Sequence, residues 1–216
     1  MKKLSSHILD LAKKRRTSRM FSSNPIDFRD VAVALETACQ APSGANYQPW
    51  RFLIVTDPQM KRRIRSACER GEKGFYSKVK GDWKDWLSSK GLSWRKPFLE
   101  EAPLLVLVLS ERRAPYSVQS VWLAIGYILL ALEELGLGTL TYTPSITEGV
   151  LEVTHVPKKF RLEAILPIGI SIDEKTKETR RALCEVAYME SWGHGFDKAV
   201  LPRIRAEMRE PRIRRK

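Results

Sequence analysis

The stretch from Ala41 to Val55, APSGANYQPWRFLIV, is the part of the sequence that most constrains the fold. It leaves a helix-like run, crosses small and polar residues between Pro42 and Pro49, and enters an apolar segment typical of a β-strand. A connection between a helix and a strand needs only a few turn residues. The small polar residues and Trp50 therefore predict a loop that holds a flat, polar ligand.

Helices and strands alternate on both sides of this loop. Apolar residues follow helical spacing after Asp27, a good N-cap, and the run PLLVLVLSE from Pro103 is typical of a strand buried on both faces. The alternation indicates an α/β or α+β sandwich, as one domain over residues 1–191 with a basic extension over 192–216. Further strands are predicted at 51–57, 138–143 and 163–171, and further helices at 58–71, 117–135, 148–153 and 181–189.

The composition excludes several classes of protein. The 216 residues suffice for one domain with a sizeable core, and the N-terminus lacks the apolar run of a signal peptide. The longest apolar stretch, Val121 to Leu132, is shorter than the ~20 residues that span a bilayer, and it predicts a helix buried on all sides. Cys39, Cys68 and Cys184 match no metal spacing, and the first two predict buried free thiols. We expect a cytoplasmic protein without a metal site or a membrane partner.

The net charge of +13 raises the question of nucleic-acid binding. The charge is spread along the chain with extra density at both ends, and no helix-turn-helix, zinc-finger or RNP pattern accompanies it. We therefore interpret it as a basic surface with a basic tail that wraps a partner subunit or extends into solvent. No nucleic-acid partner is expected.

Two short motifs carry groups that suit a phosphorylated, aromatic ligand. The run GTLTYTP from Gly138 places alternate threonines on one face of a strand, as a row of hydroxyl donors for a heteroaromatic ring. The other motif offers guanidinium forks and hydroxyls that match phosphate oxygens, and it consists of Arg15, Arg16, Thr17, Ser18 and Arg19. Each has a simpler explanation, β-branched residues in a strand and a basic helix end respectively. No Gly-x-Gly-x-x-Gly sequence is present, which argues against a Rossmann dinucleotide site.

Four segments in register resemble the nitroreductase superfamily of FMN flavoproteins. They are RRTSRMFSSNPI from Arg15, APSGANYQPWRFLIV from Ala41, AIGYILLALEELGLGTLTYTP from Ala124, and ILPIGIS from Ile165 followed by Arg180. The resemblance implies an α+β fold, a nitroreductase-like α/β sandwich around a central, mainly antiparallel sheet, in an intertwined homodimer with FMN at the interface. It also explains the elaborate loop, because in this superfamily the Pro-Ser-Gly turn lies against the flavin.

The resemblance implies two groups of FMN-binding residues. One group holds the phosphate and the ribityl chain, and the other lies against the ring, with Thr143 donating to the flavin N5 as the catalytic residue. Arg180 stands where the superfamily has an Arg-x-Pro-Leu pattern, and because the proline is absent here Arg181 is an alternative. The residues so implied are Arg15, Arg16, Thr17, Ser18, Arg19, Pro42, Ser43, Thr141, Tyr142, Thr143 and Arg180.

The segment from Gly71 to Pro97 has four glycines, three tryptophans and many charges, and no clear periodicity. We predict a mobile excursion with short helical pieces that forms a lid over the active site. It resembles the iodotyrosine deiodinase branch of the superfamily, in which a Glu, a Tyr four residues later and a Lys bind the ammonium and carboxylate of the amino acid. The substrate-binding residues implied are Glu72, Tyr76, Lys96 and Ala45, the last through its backbone amide to the substrate phenolate.

The sequence thus predicts an FMN-dependent oxidoreductase, with reductive dehalogenation of a halotyrosine as its reaction. The alternative is a broad nitro or quinone reductase, in which the lid residues have no special role, and a nucleic-acid-binding module is a third. The predicted partners are a second copy of the chain, a small aromatic substrate, and an electron donor of the nicotinamide, ferredoxin or flavodoxin class.

Overall fold

A four-stranded sheet forms the centre of the computed structural model, which describes residues 6–196. Its strands lie in the order β1 (Trp50–Val55), β2 (Leu104–Glu111), β4 (Phe160–Gly169) and β3 (Gly138–Thr139), and neighbouring strands are antiparallel. The central strand β2 is buried along almost its whole length, as its unbroken apolar sequence predicts. The prediction of an α+β fold with a mainly antiparallel sheet is confirmed.

Helices cover both faces of the sheet. One face packs against α2 (Phe28–Cys39) and α6 (Ser117–Glu134), and the other against α3 (Pro58–Lys78), α5 (Phe98–Glu101) and α7 (Glu148–Val153). Because side chains alternate along a strand, β2 contributes to both cores. Val106 and Val108 belong to the first core, and Leu105, Leu107 and Leu109 belong to the second. Two further α-helices are α1 (His7–Lys14), which contacts α6, and α4 (Gly81–Ser89), and a 3-10 turn spans Gly44–Asn46.

Local capping fixes where the major helices begin. The Asp27 carboxylate accepts a hydrogen bond from the Arg29 amide at 2.8 Å, which confirms it as the N-cap of α2. Helix α3 begins at Pro58, behind Asp57, which accepts from the Met60 amide at 2.7 Å. The strand expected at 138–143 is shorter than predicted, since regular pairing ends at Thr139 and only an isolated bridge follows.

The glycines of the segment 71–97 do not interrupt α3, which contradicts the prediction that the helix ends at Gly71. The helix continues to Lys78, so the first part of the predicted lid is regular secondary structure. Gly71 instead allows Ile146 to pack closely against the helix, because a Cβ atom at position 71 would lie 3.0 Å from the Cβ of Ile146. This approach brings the last three turns of α3 against the chain that follows β3.

Two burial predictions are wrong. Helix α6 is buried on one side, but Trp122, Leu123 and Tyr127 are exposed on the other, so a single copy of the chain does not surround it. Cys39 is exposed on α2, whereas Cys68 is fully buried as predicted. All three cysteines are free thiols.

The chain divides into two compact units, 1–177 and 178–216. In the second unit the structure describes residues 178–196, with one short helix, α8 (Leu183–Val186), in place of the longer helix predicted at 181–189. Most of the predicted basic extension, from residue 197 onward, lies outside the described residues, and the domain boundary at residue 191 stays a prediction. Between residues 6 and 196, none of the helices has the length and apolar character needed to cross a membrane.

Candidate functional site

The arginine cluster lies beside the strand that carries the threonines. Thr17 forms a parallel bridge with Thr139, and the Ser18 amide donates to the Thr139 carbonyl at 3.0 Å. This pairing extends the edge of the sheet beyond β3. Two motifs that are more than a hundred residues apart in sequence therefore meet at one edge.

Asp173 orients the arginine cluster through contacts with Arg16 and Arg19. The guanidinium of Arg16 donates to the Asp173 carbonyl and, at 3.4 Å, to the Ser171 hydroxyl, and the Arg19 amide donates to the Asp173 carboxylate at 2.9 Å. Burial raises the pKa of Asp173, but the amides of Arg19 and Lys175 and the Arg16 charge lower it more, so its pKa lies below the usual range. The aspartate is therefore ionised at neutral pH and holds the cluster in place.

One nitrogen of Arg16 is left without a partner. Its Nη1 atom is buried and donates to no acceptor among residues 6–196, although the Asp173 carboxylate lies 4.0 Å away. A buried guanidinium N–H without an acceptor is costly. An anionic oxygen at this position would satisfy it.

Ser18 is turned inward, unlike its neighbours in the cluster. It is 1% exposed, and its hydroxyl lies 2.7 Å from that of Ser171. Thr17 and Arg19 are partly exposed on either side of it. The Ser18 hydroxyl is therefore bound to Ser171 inside the protein and does not face the surface on which Thr17 and Arg19 lie.

The threonine run is split between the core and the surface. Thr139 and Tyr142 are buried, Thr141 is half-buried and Thr143 is exposed. The Tyr142 ring packs edge-on against Phe98, with the ring centres 5.4 Å apart, so its side chain belongs to the core. A contact of Tyr142 with a ligand beside Thr141 and Thr143 would therefore come from the backbone.

The loop after Ala41 has an unusual backbone. Ala45, Asn46 and Gln48 have φ angles of 50°, 53° and 53°, in the left-handed region that residues other than glycine seldom adopt. Ser43 holds the turn by accepting from the Gln48 amide at 3.0 Å, and the Gly44 amide donates to the Ser120 hydroxyl on α6 at 3.1 Å. Such a concentration of strained residues is typical of a ligand-binding loop.

Glu72, Tyr76 and Lys96 converge, although the resemblance implied them only through residue type and order along the chain. Glu72 is 5% and Lys96 is 7% exposed, and the Lys96 ammonium lies 3.3 Å from Glu72 Oε2. The same ammonium donates to the Tyr76 hydroxyl at 3.4 Å and to the Ser93 carbonyl at 2.6 Å. The Lys96 amide is bound to the Glu69 carboxylate at 2.8 Å, which ties this end of the segment to α3.

The parts of the predicted site lie on two faces of the sheet. The arginine cluster, the threonine run and Glu72 are connected through β3 and Tyr142, whereas the loop at Ser43 is anchored on α6. Arg180 belongs to the second unit, where it donates to the carbonyls of Glu178 and Thr179 at 2.9 and 3.1 Å. Its contact with a phosphate, or that of Arg181, stays a prediction.

Comparison with known proteins identifies the family. The model of the Nitroreductase family matches residues 12–170, which is most of the chain. The chain belongs to the nitroreductase family.

Within this family, the chain is similar to iodotyrosine deiodinases. That of Thermotoga neapolitana is 53% identical over 173 residues, which cover 80% of this chain and 93% of the relative. That of Haliscomenobacter hydrossis is 36% identical over 166 residues, covering 72% and 75%. A crystal structure of oxidized iodotyrosine deiodinase bound to FMN and 3-iodo-L-tyrosine is 52% identical, with a TM-score of 0.79, covering 81% of this chain and 95% of that one.

Sequence reasoning missed several residues that shape the candidate site. Asp173 and Ser171 support the arginine cluster, and the Ser145 amide binds Glu72 at 3.0 Å. The sequence signal for Asp173 was an acidic residue two positions after the predicted strand 163–171. Ser145 acts through its backbone, so no side-chain pattern could have identified it.

Within residues 6–196, no group of three or more His, Cys, Asp or Glu side chains is arranged to hold a metal ion.

Proposed function

We propose that this protein is an FMN-dependent homodimeric oxidoreductase that removes halogen from halotyrosines by reduction. The observation that carries the proposal is the convergence of Glu72, Tyr76 and Lys96 in a buried position next to the threonine run. A carboxylate suits an ammonium, and an ammonium with a hydroxyl suits a carboxylate, so the trio matches the zwitterion of an amino acid. The 53% identity to an iodotyrosine deiodinase supports the same substrate class.

The residues at the sheet edge fit the phosphate and ring of FMN. The unpaired buried Nη1 of Arg16 requires an anionic acceptor, which a phosphate oxygen would supply. Arg15, Thr17 and Arg19 would complete the phosphate site, and Thr141 and Thr143 would face the ring. The crystal structure of the relative with bound FMN supports this cofactor. Ser18, which faces Ser171, would support the site from behind.

The protein's part in the reaction is to bind, orient and exclude water. Bound FMN supplies the electrons. Removing iodine from 3-iodotyrosine converts a C–I bond into a C–H bond, consumes two electrons and one proton, and releases iodide. The exposed Thr143 hydroxyl would donate to the flavin N5, as the catalytic contact.

The Ala45 amide suits a phenolate oxygen. The neighbouring amides of Gly44, Asn46 and Tyr47 already donate to acceptors in the loop or on α6. The Ala45 amide has no acceptor among residues 6–196. A free N–H on a strained turn is a ready donor to an anionic oxygen. A phenolate held here would place the halotyrosine ring over the flavin.

A second copy of the chain would complete the site. Helix α6 carries the anchor of the Ser43 loop and exposes Trp122, Leu123 and Tyr127 beside it. Exposed apolar residues in this number mark an interface. A groove of about 690 Å³ between α1, α2 and α6, lined by Ile8, Val33 and Tyr127 among others, continues the same surface.

We expect sedimentation equilibrium to give a dimer that does not dissociate at micromolar concentration. Tyr127→Glu would place a charge in this interface and should shift the protein toward a monomer that binds FMN more weakly. Gln59→Glu, at the exposed start of α3 on the opposite face of the sheet, is the control, because it adds the same single negative charge. A stable monomer of the wild type that retains its full complement of FMN would contradict the dimer.

A broad nitro or quinone reductase is the second candidate. The observation that favours it is that Glu72 and Lys96 form an ion pair with each other, so both charges are already paired without a bound zwitterion. A neutral nitroaromatic could then bind over the flavin without breaking this ion pair.

An anaerobic titration separates the two candidates. The purified protein is reduced photochemically, so that no particular electron donor is needed, and mixed in turn with 3-iodotyrosine, tyrosine and a nitroaromatic. We expect 3-iodotyrosine to reoxidise the flavin and yield stoichiometric iodide, and tyrosine to leave it reduced. Reoxidation by the nitroaromatic alone would favour the broad reductase.

A further inference from the structure

The two oxygens of the Glu72 carboxylate have different partners. Oε1 accepts from the Tyr142 hydroxyl at 3.1 Å and from the Ser145 amide at 3.0 Å. Oε2 faces the Lys96 ammonium at 3.3 Å. Two fixed donors on one oxygen set the rotation of the carboxylate, and they leave the other oxygen for an exchangeable cation.

Tyr142 is itself held firmly in place. Its amide and carbonyl both pair with Ile165, at 3.0 and 2.8 Å, and its ring packs on Phe98 in the core. Burial raises the pKa of its phenol, with the nearby Cys68 and Glu72 adding to the effect, so the hydroxyl remains a proton donor. The Cys68 thiol lies near this hydroxyl in the same core, and burial raises the pKa of that thiol to about 12.

We infer that Tyr142 is a positioning residue for recognition of the amino-acid group. Its hydroxyl and the Ser145 amide hold Glu72 Oε1, so that Oε2 is presented to the substrate ammonium. Tyr142 does not touch the substrate itself. The inference rests on the proposed function and adds to it a physical link between the strand that would face the flavin and the groups that would bind the amino acid.

The geometry also describes how the zwitterion would enter. The substrate ammonium would replace Lys96 at Oε2, and Lys96 would turn to the substrate carboxylate while keeping its bond to the Ser93 carbonyl. Every charge stays paired through this exchange, which is required in a buried site. For this exchange, the Glu72 carboxylate must keep its orientation when the Lys96 ammonium moves away, and the hydrogen bonds to Oε1 hold it in place.

The test compares two ligands in FMN-loaded protein. Tyr142→Phe removes the hydroxyl but keeps the ring on Phe98, and Cys68→Ala disturbs the same part of the core but keeps the hydroxyl on Glu72. Flavin fluorescence quenching gives the Kd of 3-iodotyrosine and of 2-iodophenol, which has the iodinated ring but no amino-acid group. We expect Tyr142→Phe to raise the Kd of 3-iodotyrosine relative to that of 2-iodophenol about ten-fold, as for loss of a hydrogen bond to a charged group. Cys68→Ala should leave this ratio of Kd values unchanged.

Each other outcome has a definite meaning. An equal rise of both Kd values in Tyr142→Phe would show that the tyrosine only packs the core, and would overturn the inference while leaving the proposed function intact. A ratio unchanged in Tyr142→Phe, or raised as much in Cys68→Ala, would overturn it as well. A wild type that binds 2-iodophenol but not 3-iodotyrosine would contradict the proposed substrate class and the inference together.

Discussion

Replacing Arg15 and Arg19 together by alanine is expected to give a folded protein that purifies without FMN. Each residue would make a charge-assisted contact to the phosphate of about 1.5–3 kcal/mol, so losing both would weaken FMN binding by roughly 10²- to 10⁴-fold. Arg16 is left in place because its guanidinium also binds Ser171 and Asp173, and its removal would disturb the fold. The measurement is the flavin absorbance per protein chain after gel filtration.

The control for this variant removes the same charge from a neighbouring position. Lys13→Ala with Lys14→Ala lowers the net charge equally on the last turn of α1. Lys14 forms an ion pair with Glu133 at 3.3 Å, but the lysine side chain is largely exposed, so the pair contributes little. This double variant should keep its FMN. If both double variants lose FMN equally, general electrostatic attraction and not local contacts holds the cofactor, and full occupancy in the arginine variant would refute the assignment.

Glu72→Gln is expected to have two separable effects. The amide offers the substrate ammonium no charge, which should weaken 3-iodotyrosine binding by about 1–3 kcal/mol. The change also leaves the buried Lys96 ammonium without its carboxylate, and removal of one partner of a buried ion pair typically costs about 3–5 kcal/mol of stability. Fluorescence quenching measures the first effect, and thermal or urea unfolding measures the second.

A second substitution distinguishes stability from recognition. Adding Lys96→Met to Glu72→Gln removes the unpaired cation, so most of the lost stability should return while 3-iodotyrosine binding stays weak. Turnover of a neutral nitroaromatic should depend little on either change, because that substrate has no ammonium. Recovery of 3-iodotyrosine binding together with stability would mean that Glu72 is only a structural partner of Lys96.

Much of the fold was predictable because its signals are local. The unbroken apolar run of β2, the Asp27 cap of α2 and the bounds of α7 are properties of a few adjacent residues, and each agrees with the structure. The errors arise where distant contacts override local preference. Gly71 suggests an interrupted helix until Ile146 is placed against it, and α6 reads as wholly buried until its neighbours are known to cover one side.

The candidate site shows the same division. The resemblance picked out Glu72, Tyr76 and Lys96 by type and order, and the structure adds that their polar atoms lie within hydrogen-bond or ion-pair distance of one another. The resemblance could not identify Asp173 or Ser145. Asp173 supports the arginine cluster across more than 150 residues of sequence, and Ser145 acts through its backbone amide. Supporting residues of this kind are defined by three-dimensional contacts and leave no regular spacing.

The continuity of α3 has a consequence for how new substrate preferences could evolve. Glu69, Glu72 and Tyr76 lie on one face of a single rigid helix, so the entropic cost of arranging them is met during folding and not at each encounter with a ligand. Single substitutions on such a helix face change the side chains that meet the substrate while the backbone that positions them stays the same. Exchanges at these positions should therefore alter which amino acids are accepted while leaving the redox half of the site untouched, which makes the helix a natural starting point for directed evolution of related dehalogenases.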